Sequence, residues 1–267
     1  TNRSIRNGSN RIGQHSVLTV HQRYTVAIMN EQQSNILSIG RQEFDRELGR
    51  LEAELILMSG LVEKAIFDAL QALKNRDIDR SQKVINEDDH IDKTELEIER
   101  YCIELIRRES PMAGDLRRIV ASLQIAGELE RIGDYAEGIA KISINMGSQP
   151  PLKELIDIPR MGDKAVSMLK RSLESFISRD EDVVRTIVVE LESEDDEVDD
   201  LYTKVQGDLM ELVKSDPDNA ERATYLMWVA HNVERVADRA MNIAERSLFQ
   251  ATGQLVSGST MIDTNPE

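Results

Sequence analysis

The chain has 267 residues, 33 basic and 49 acidic side chains and a formal charge of −16, with 40% apolar and 4% aromatic residues. No apolar run approaches the roughly 20 residues of a membrane-spanning helix, and no secretory signal pattern opens the sequence. A single cysteine, Cys102, excludes a disulfide framework or a cysteine zinc site and fits a reducing compartment, while the acid surplus argues against nucleic-acid binding.

Residues 1–43 carry five basic and two acidic residues among Asn, Ser, Gln and Gly, which predicts a poorly ordered extension. Within it, Val17 to Met29 is apolar enough to dock on the core or to form a short element. The rest is dominated by good helix formers in long proline-free spans, the pattern of an all-α protein. A first helix is expected from about Phe44 to Lys74, with Leu48, Leu51, Leu55, Met58, Val62, Ala65 and Leu70 near one stripe. Asn75-Arg76-Asp77 breaks it, and Asp77 or Asp79 caps a second helix that runs to about Arg108. Its apolar face is Val84, Ile91, Ile98, Cys102 and Leu105. Ser110-Pro111 reads as a cap and first-turn proline for a third helix, to about Asn145. Gly147 to Pro151 is the clearest linker.

The pattern then recurs. A fourth helix is expected from Pro159 to Ser178 and a fifth from Asp180 to Lys214. Asp216-Pro217 opens a sixth, to about Phe249. Residues 251–267 are polar and breaker-rich, a second poorly ordered end. Short connections between long helices favour antiparallel neighbours. The expected organisation is an extension (1–43), a three-helix repeat (44–149), a second three-helix repeat (150–250) and a tail (251–267): two tandem three-helix bundles with a pseudo-twofold internal repeat.

The repeat is visible in residues as well as in pattern. Glu130-Arg131-Ile132-Gly133-Asp134 matches Glu234-Arg235-Val236-Ala237-Asp238 at an offset of 104 residues, and the acidic run Glu87 to Asp92 matches Glu194 to Asp199. Each motif is an acid-x-x-x-acid pair. Positions i and i+4 sit one turn apart on one helix face, where two carboxylates repel by about 0.2–0.5 kcal/mol in an isolated helix. At 100° per residue, Glu234 and Asp238 lie on the shoulder of the apolar stripe, and so do Asp88 and Asp92. If the shoulders face each other, four carboxylates converge in each half, and a cation would relieve them. Oxygen-only donors suit Mg, Mn or Fe, and Zn less typically. Solvated helix faces and salt bridges to neighbouring helices are the competing readings.

Other features are weaker. Gly127 and Gly138 share the face of Glu130 and Asp134, and either make room for a cluster or serve close helix packing. His231 and Asn242 replace them in the second half, so the two halves should not be identical. His231 lies three residues from Glu234, and Asp115 either joins the first cluster or answers the helix dipole. Eight acids in the eleven residues from Glu190 to Asp200 read mostly as solvated. A di-metal carboxylate enzyme of the ferritin type requires a Glu-x-x-His run from each of two helices. With four histidines, His15 and His21 among them in the extension, the sequence does not supply the pair. A metal-free helical scaffold is the other alternative. No nucleophile–base–acid constellation and no phosphate-cradling glycine loop are present, so catalysis is not expected.

Pro111, Asp115-Leu116-Arg117, Glu130 to Asp134 and the second Glu234-Arg235-x-x-Asp238, in this order, resemble the PhoU family. Phe44-Asp45-x-Glu47-Leu48, Met58 and Asp195-x-x-Val198-Asp199-x-Leu201-Tyr202 resemble it too. The resemblance spans about residues 43–250. It implies two three-helix bundles with multinuclear metal clusters of iron or zinc, while the oxygen-only donor chemistry keeps manganese or magnesium as alternatives. Carried onto this chain, the ligands are Asp88, Asp92, Glu130 and Asp134, and Asp195, Asp199, Glu234 and Asp238. It implies a cytoplasmic, non-enzymatic negative regulator of phosphate homeostasis. Such a protein acts between the ATPase of the phosphate-specific ABC transporter and a sensor histidine kinase. Apart from the resemblance, the wide helix faces leave room for a homodimer, and no membrane insertion is expected. The basic extension departs from the family core.

Overall fold

In the computed structural model, residues 20–147, 151–257 and 260–262 are described, with side chains over 40–147 and 151–254. Six long helices carry the chain: α1 (Val20–Asn75), α2 (Ile78–Glu109), α3 (Ala113–Met146), α4 (Asp157–Ser178), α5 (Glu181–Ser215) and α6 (Ala220–Thr252). The all-α expectation holds. Residues 1–47 group as one unit and 48–267 as a second, which contains both repeats.

Heptad-like spacing builds α1. Leu48, Leu51, Leu55, Met58 and Val62 are 0–1% exposed. The stripe then steps by four to Ile66 before continuing to Ala69 and Leu73, so Ile66 and not Ala65 enters the core. A straight helix at 3.6 residues per turn drifts against a seven-residue repeat, and the extra four-residue step resets it. α2 buries only a narrow stripe: Ser81, Val84, Ile91, Ile98, Cys102 and Leu105. α3 and α6 bury far wider faces, including Ile119, Ile125, Leu129, Ile132, Val229, Val233, Ala237 and Ile243. They are the central helices, with α2 packed on α3, α4 and α5 on α6, and α3 on α6.

α3 and α6 run antiparallel. A side chain on Gly138 would meet Asn232, and Asn242 Nδ2 donates to Glu128 Oε2 at 3.2 Å. The two contacts exchange under the 104-residue offset, which is the signature of a pseudo-twofold axis between these helices. α1 meets α4 in the same antiparallel sense. Lys170 Nζ lies 3.3 Å from Glu63, and a Cβ on Gly162 would collide with Leu70. The missing side chain at Gly162 is what lets α4 approach α1.

A buried clamp ties the repeats at one end. Glu52 of α1, 8% exposed, accepts from Arg118 Nε of α3 at 2.7 Å and from Arg179 Nη2 at 2.9 and 2.7 Å. Arg179 is the left-handed residue (φ 57°) that ends α4.

Caps follow the sequence at most junctions. Asp77 accepts from Arg80 N, Asp180 accepts from Asp182 N and Val183 N, and Asp216 accepts from Asp218 N in a 3-10 turn (Pro217–Asn219) ahead of α6. Ser110 is a correction. It is the left-handed C-cap of α2, its N–H donating to Ile106 O, and α3 starts at Ala113 without a side-chain cap. The ends also differ from expectation. α1 begins at Val20, so 20–43 is helical, whereas 1–19 lie outside the described residues. After α6, Leu255–Ser257 (β1) pairs antiparallel with Thr260–Ile262 (β2). Ser148 to Pro150 of the expected linker also lie outside the described residues.

Candidate metal centre

α2 and α3 meet at Gly133. A Cβ there would lie 3.1–3.2 Å from the Ile91 side chain and 3.3 Å from Asp88 Oδ1. The absence of that carbon draws the two acidic shoulders together. Oxygens of Asp88, Asp134 and Glu137 lie within 4.8 Å of one another, as do oxygens of Asp92, Glu130 and Asp134. Asp134 belongs to both groups, so five carboxylates line one seam and share a member. Glu137 was missed by the motif reading. Its signal was present, because Glu130, Asp134 and Glu137 follow the i, i+4, i+7 spacing of one helix face.

The electrostatics are unfavourable as they stand. Burial, with the charges of Glu137, Asp92 and Asp134, pushes the Asp88 pKa up to about 7. Burial and neighbouring carboxylates raise Glu130 and Asp134 as well. Asp92 Oδ1 is buried and has no hydrogen-bond partner among the described residues. Leaving such an acceptor unpaired costs about 1–3 kcal/mol. Lys141 pairs with Glu137 at the edge of the seam. An oxygen-only donor set with an unpaired buried oxygen fits a hard or intermediate multivalent cation. Asp88, Asp92, Glu130, Asp134 and Glu137 are the residues that would hold it.

The second repeat carries the same motifs in a different state. Asp195 is pushed up to about 6 by burial and by Asp238, Asp199 and Glu234, and Asp195 Oδ1 is buried and unpaired among the described residues. Burial, followed by Glu234, raises Asp199 and Asp238. Arg235 occupies the acids of α6. It reaches Glu234 by a two-pronged contact at 2.7 and 2.8 Å and Asp238 at 2.8 Å. Among the described residues, no three carboxylates here come within 4.8 Å. The four acids of the second half thus lie near one another but in a looser group than in the first, with Arg235 standing among them.

The difference has a local cause. Arg131, the counterpart of Arg235, turns back one helical turn to Glu128 at 2.7 Å. The residue matching Glu128 is Asn232, which offers no charge. Arg235 therefore falls onto its own neighbours.

The remaining candidates lie elsewhere. Gly138 serves the α3–α6 contact, and a side chain on Gly127 would meet nothing within 4 Å. His231 Nδ1 lies 3.6 Å from Glu234, on an exposed ring. Asp115 sits in the first turn of α3 and joins neither carboxylate group. Of the acidic run, Glu190 and Glu194 pair with Arg171 of α4, and Glu197 pairs with Lys164 at 2.5 Å. The sequence does contain one Glu-x-x-His run, Glu87 to His90. Glu87 is bound by Lys64 at 2.7 Å and His90 is exposed, so neither enters the seam.

A pseudo-symmetric pair of three-helix repeats with acid-x-x-x-acid motifs on matching helices defines a class of helical two-repeat proteins. The PhoU domain model matches residues 55–143 and again 158–247. The chain belongs to the PhoU family. It is 38% identical over 211 residues to a phosphate-specific transport system accessory protein PhoU homolog of Aquifex aeolicus, covering 79% of this chain and 94% of the relative. The crystal structure of the phosphate transport system regulatory protein PhoU from Streptococcus pneumoniae superposes with a TM-score of 0.73 at 28% identity, over 80% of this chain and 99% of that one. PhoU from Pseudomonas aeruginosa gives 0.73 at 30% identity, over 79% and 99%. No helix among the described residues is long and apolar enough to cross a membrane.

Proposed function

We propose that this chain is an accessory and regulatory protein of a phosphate-specific transport system, acting without catalysis of its own. The two PhoU domains in tandem carry the reading, supported by the names of the relatives. In this role it links the transporter's ATPase subunit to a phosphate sensor histidine kinase in the cytoplasm and represses the phosphate-starvation response when phosphate is plentiful. Long helix faces suit such docking, and a homodimer is compatible with them. The carboxylate seam of the first repeat holds iron or zinc, or alternatively manganese or magnesium. The unpaired Asp92 Oδ1 and the upward-shifted Asp88 support this. The cation neutralises the acids and locks α2 against α3, while Gly133 keeps the two helices close enough to share it. Asp195, Asp199, Glu234 and Asp238 form a weaker second site, gated by Arg235.

Pull-down of transport ATPase and sensor kinase from membranes at high and low phosphate tests the role. Retention that changes with phosphate is expected, and no retention of either partner under both conditions would refute it. Elemental analysis of protein purified without chelator tests the seam. Metal is expected in the native chain and lost from a Glu130→Ala, Asp134→Ala double variant; equal metal in both would sink the assignment.

A further inference from the structure

The α1–α2 side of the first repeat carries a groove of about 510 Å³, bordered by Arg50 and Glu54 of α1 and by Glu97, Ile98, Tyr101 and Ile103 of α2. The second repeat fills the matching place from within. Arg50 matches Lys153 and Glu54 matches Asp157, at the offset that pairs Met58 with Met161. Glu97 matches Lys204 and Tyr101 matches Asp208, at the offset that pairs Glu87 with Glu194. In the second repeat these positions make two ion pairs. Lys204 Nζ lies 2.9 Å from both Asp157 oxygens, and Lys153 Nζ lies 2.6 Å from Asp208. The first repeat keeps one of the two contacts in another form, with the Arg50 guanidinium 5.1 Å from the centre of the Tyr101 ring. It loses the other. Glu97 stands where the lysine would be, so two carboxylates border the groove where an acid and an ammonium meet in the other half.

Both carboxylates are loosely held. Glu54 lies 3.9 Å from Arg50 Nε, and Glu97 lies 3.9 Å from Lys93 Nζ, beyond hydrogen-bond length. Glu104, also on the groove, binds Arg107 at 2.6 Å. With Arg50 over Tyr101 and Glu104 on Arg107, the other lining charges are Glu54, Glu97 and Arg100, a negative balance. The walls are partly apolar: Ile98 is buried, and Ile103 is 55% exposed. A lysine lays its methylene stem along such a wall while its head reaches a carboxylate. Apolar walls with a few placed polar groups are the usual make-up of a recognition groove, and an amphipathic helix is a common guest of one.

We infer that this groove docks a basic amphipathic helix of a partner protein, which seats a lysine between Glu54 and Glu97 in the place that Lys204 takes beside Asp157 in the second repeat. Apolar side chains of the same helix cover Ile103. The groove is separate from the carboxylate seam, because it lies between α1 and α2 and the seam lies between α2 and α3. It adds a place of contact to the proposed regulatory role without depending on the metal.

Fluorescence anisotropy tests the inference. The full chain is titrated into a labelled helical peptide with leucines on one face and lysines on the other. Saturable binding of one peptide per chain is expected. The Glu54→Gln, Glu97→Gln double variant should weaken it about tenfold or more, the scale of a lost charge-assisted contact. Glu97→Lys supplies the internal ammonium of the second repeat, and should abolish binding while raising the melting temperature. Glu211→Lys makes an equal charge change on α5 and should leave binding as in the parent. Absence of saturable binding, or equal weakening by Glu211→Lys, overturns the site, since the peptide would then be reading bulk charge. Equal binding of a peptide with glutamates in place of the lysines overturns the basic occupant, and spermidine binding with the same variant dependence overturns a helical one. Self-association of the parent that Glu97→Lys abolishes would assign the groove to a second copy of this chain and overturn the partner.

Discussion

The two repeats place the same acid pairs on corresponding helices, yet among the described residues only the first gathers carboxylate oxygens into groups of three within 4.8 Å. The deciding residue is outside the motif. Glu128 holds Arg131 three residues away, and it also receives Arg239 at 3.3 Å and Asn242 at 3.2 Å from α6. Asn232 at the matching place holds no arginine, so Arg235 neutralises Glu234 and Asp238 internally. One repeat leaves its clustered carboxylates without an arginine among them, and the other places Arg235 between its acids. A motif therefore states which ligands are present, while a neighbour one turn away decides whether they are available.

The largest expected effect follows from the shared carboxylate. Asp134→Asn removes a donor common to both groups of the first seam. It should lower metal affinity about a hundredfold, whereas Asp238→Asn should change total metal by little; elemental analysis and competition with a chelator read both. If the two variants lose metal equally, the proposed division of labour is wrong. The converse change sharpens it. Arg235→Gln frees Glu234 and Asp238 and should raise cation affinity in the second repeat about tenfold, a gain of about 1.4 kcal/mol, seen as extra bound metal per chain. Asn232→Glu should move in the same direction by giving Arg235 the partner that Arg131 already has.

Much of this was legible before any coordinates. Asp77, Asp180 and Asp216 announced three helix starts through local chemistry, and each accepts the backbone N–H groups expected of it. Periodicity at 100° placed Asp88, Asp92, Glu234 and Asp238 on the shoulders of their apolar stripes, whereas the facing of the α2 and α3 shoulders rests on the packing at Gly133. Arg235 was not legible, because an arginine beside acids has several rotamers and the choice depends on position 232. Glu137 stands outside the i, i+4 pair of Glu130 and Asp134 and belongs to the same face only through its i+7 spacing from Glu130. Ser110 misled because Ser-Pro suits a helix start as well as the left-handed stop it makes here. The residues from Val20 to Phe44 have weak helical composition, but a helix extends at little cost once nucleated, so local composition misjudged how far α1 runs.

A smaller effect is expected from pH. In chelated protein, Asp88 titrates at about 7 when folded and near 3.8 as a free carboxyl, and Asp195 at about 6. The folded state then binds more protons than the unfolded state between about pH 4 and pH 7, so these groups make stability fall as pH rises through that window. The melting temperature of metal-free protein should drop by a few degrees from pH 5 to pH 8. Asp88→Asn should flatten the slope more than Asp195→Asn, since the larger shift belongs to the first repeat. Added metal should flatten it in the parent by competing with the protons. A melting temperature that rises over this range would contradict the electrostatic account of the seam.

The smallest effect compares the two inter-helix caps. Asp77 and Asp180 are repeat equivalents, but Asp77 accepts from one backbone N–H, at 2.9 Å, whereas Asp180 accepts from two, at 3.0 and 3.1 Å. Replacing an N-cap acid by Ala costs typically about 1 kcal/mol. Asp180→Ala should therefore lie toward the upper part of that range and Asp77→Ala toward the lower. Chemical denaturation distinguishes them, provided the slope with denaturant is unchanged. Equal losses would mean that the second hydrogen bond at Asp180 adds nothing net, because water satisfies the same exposed N–H once the carboxylate is gone.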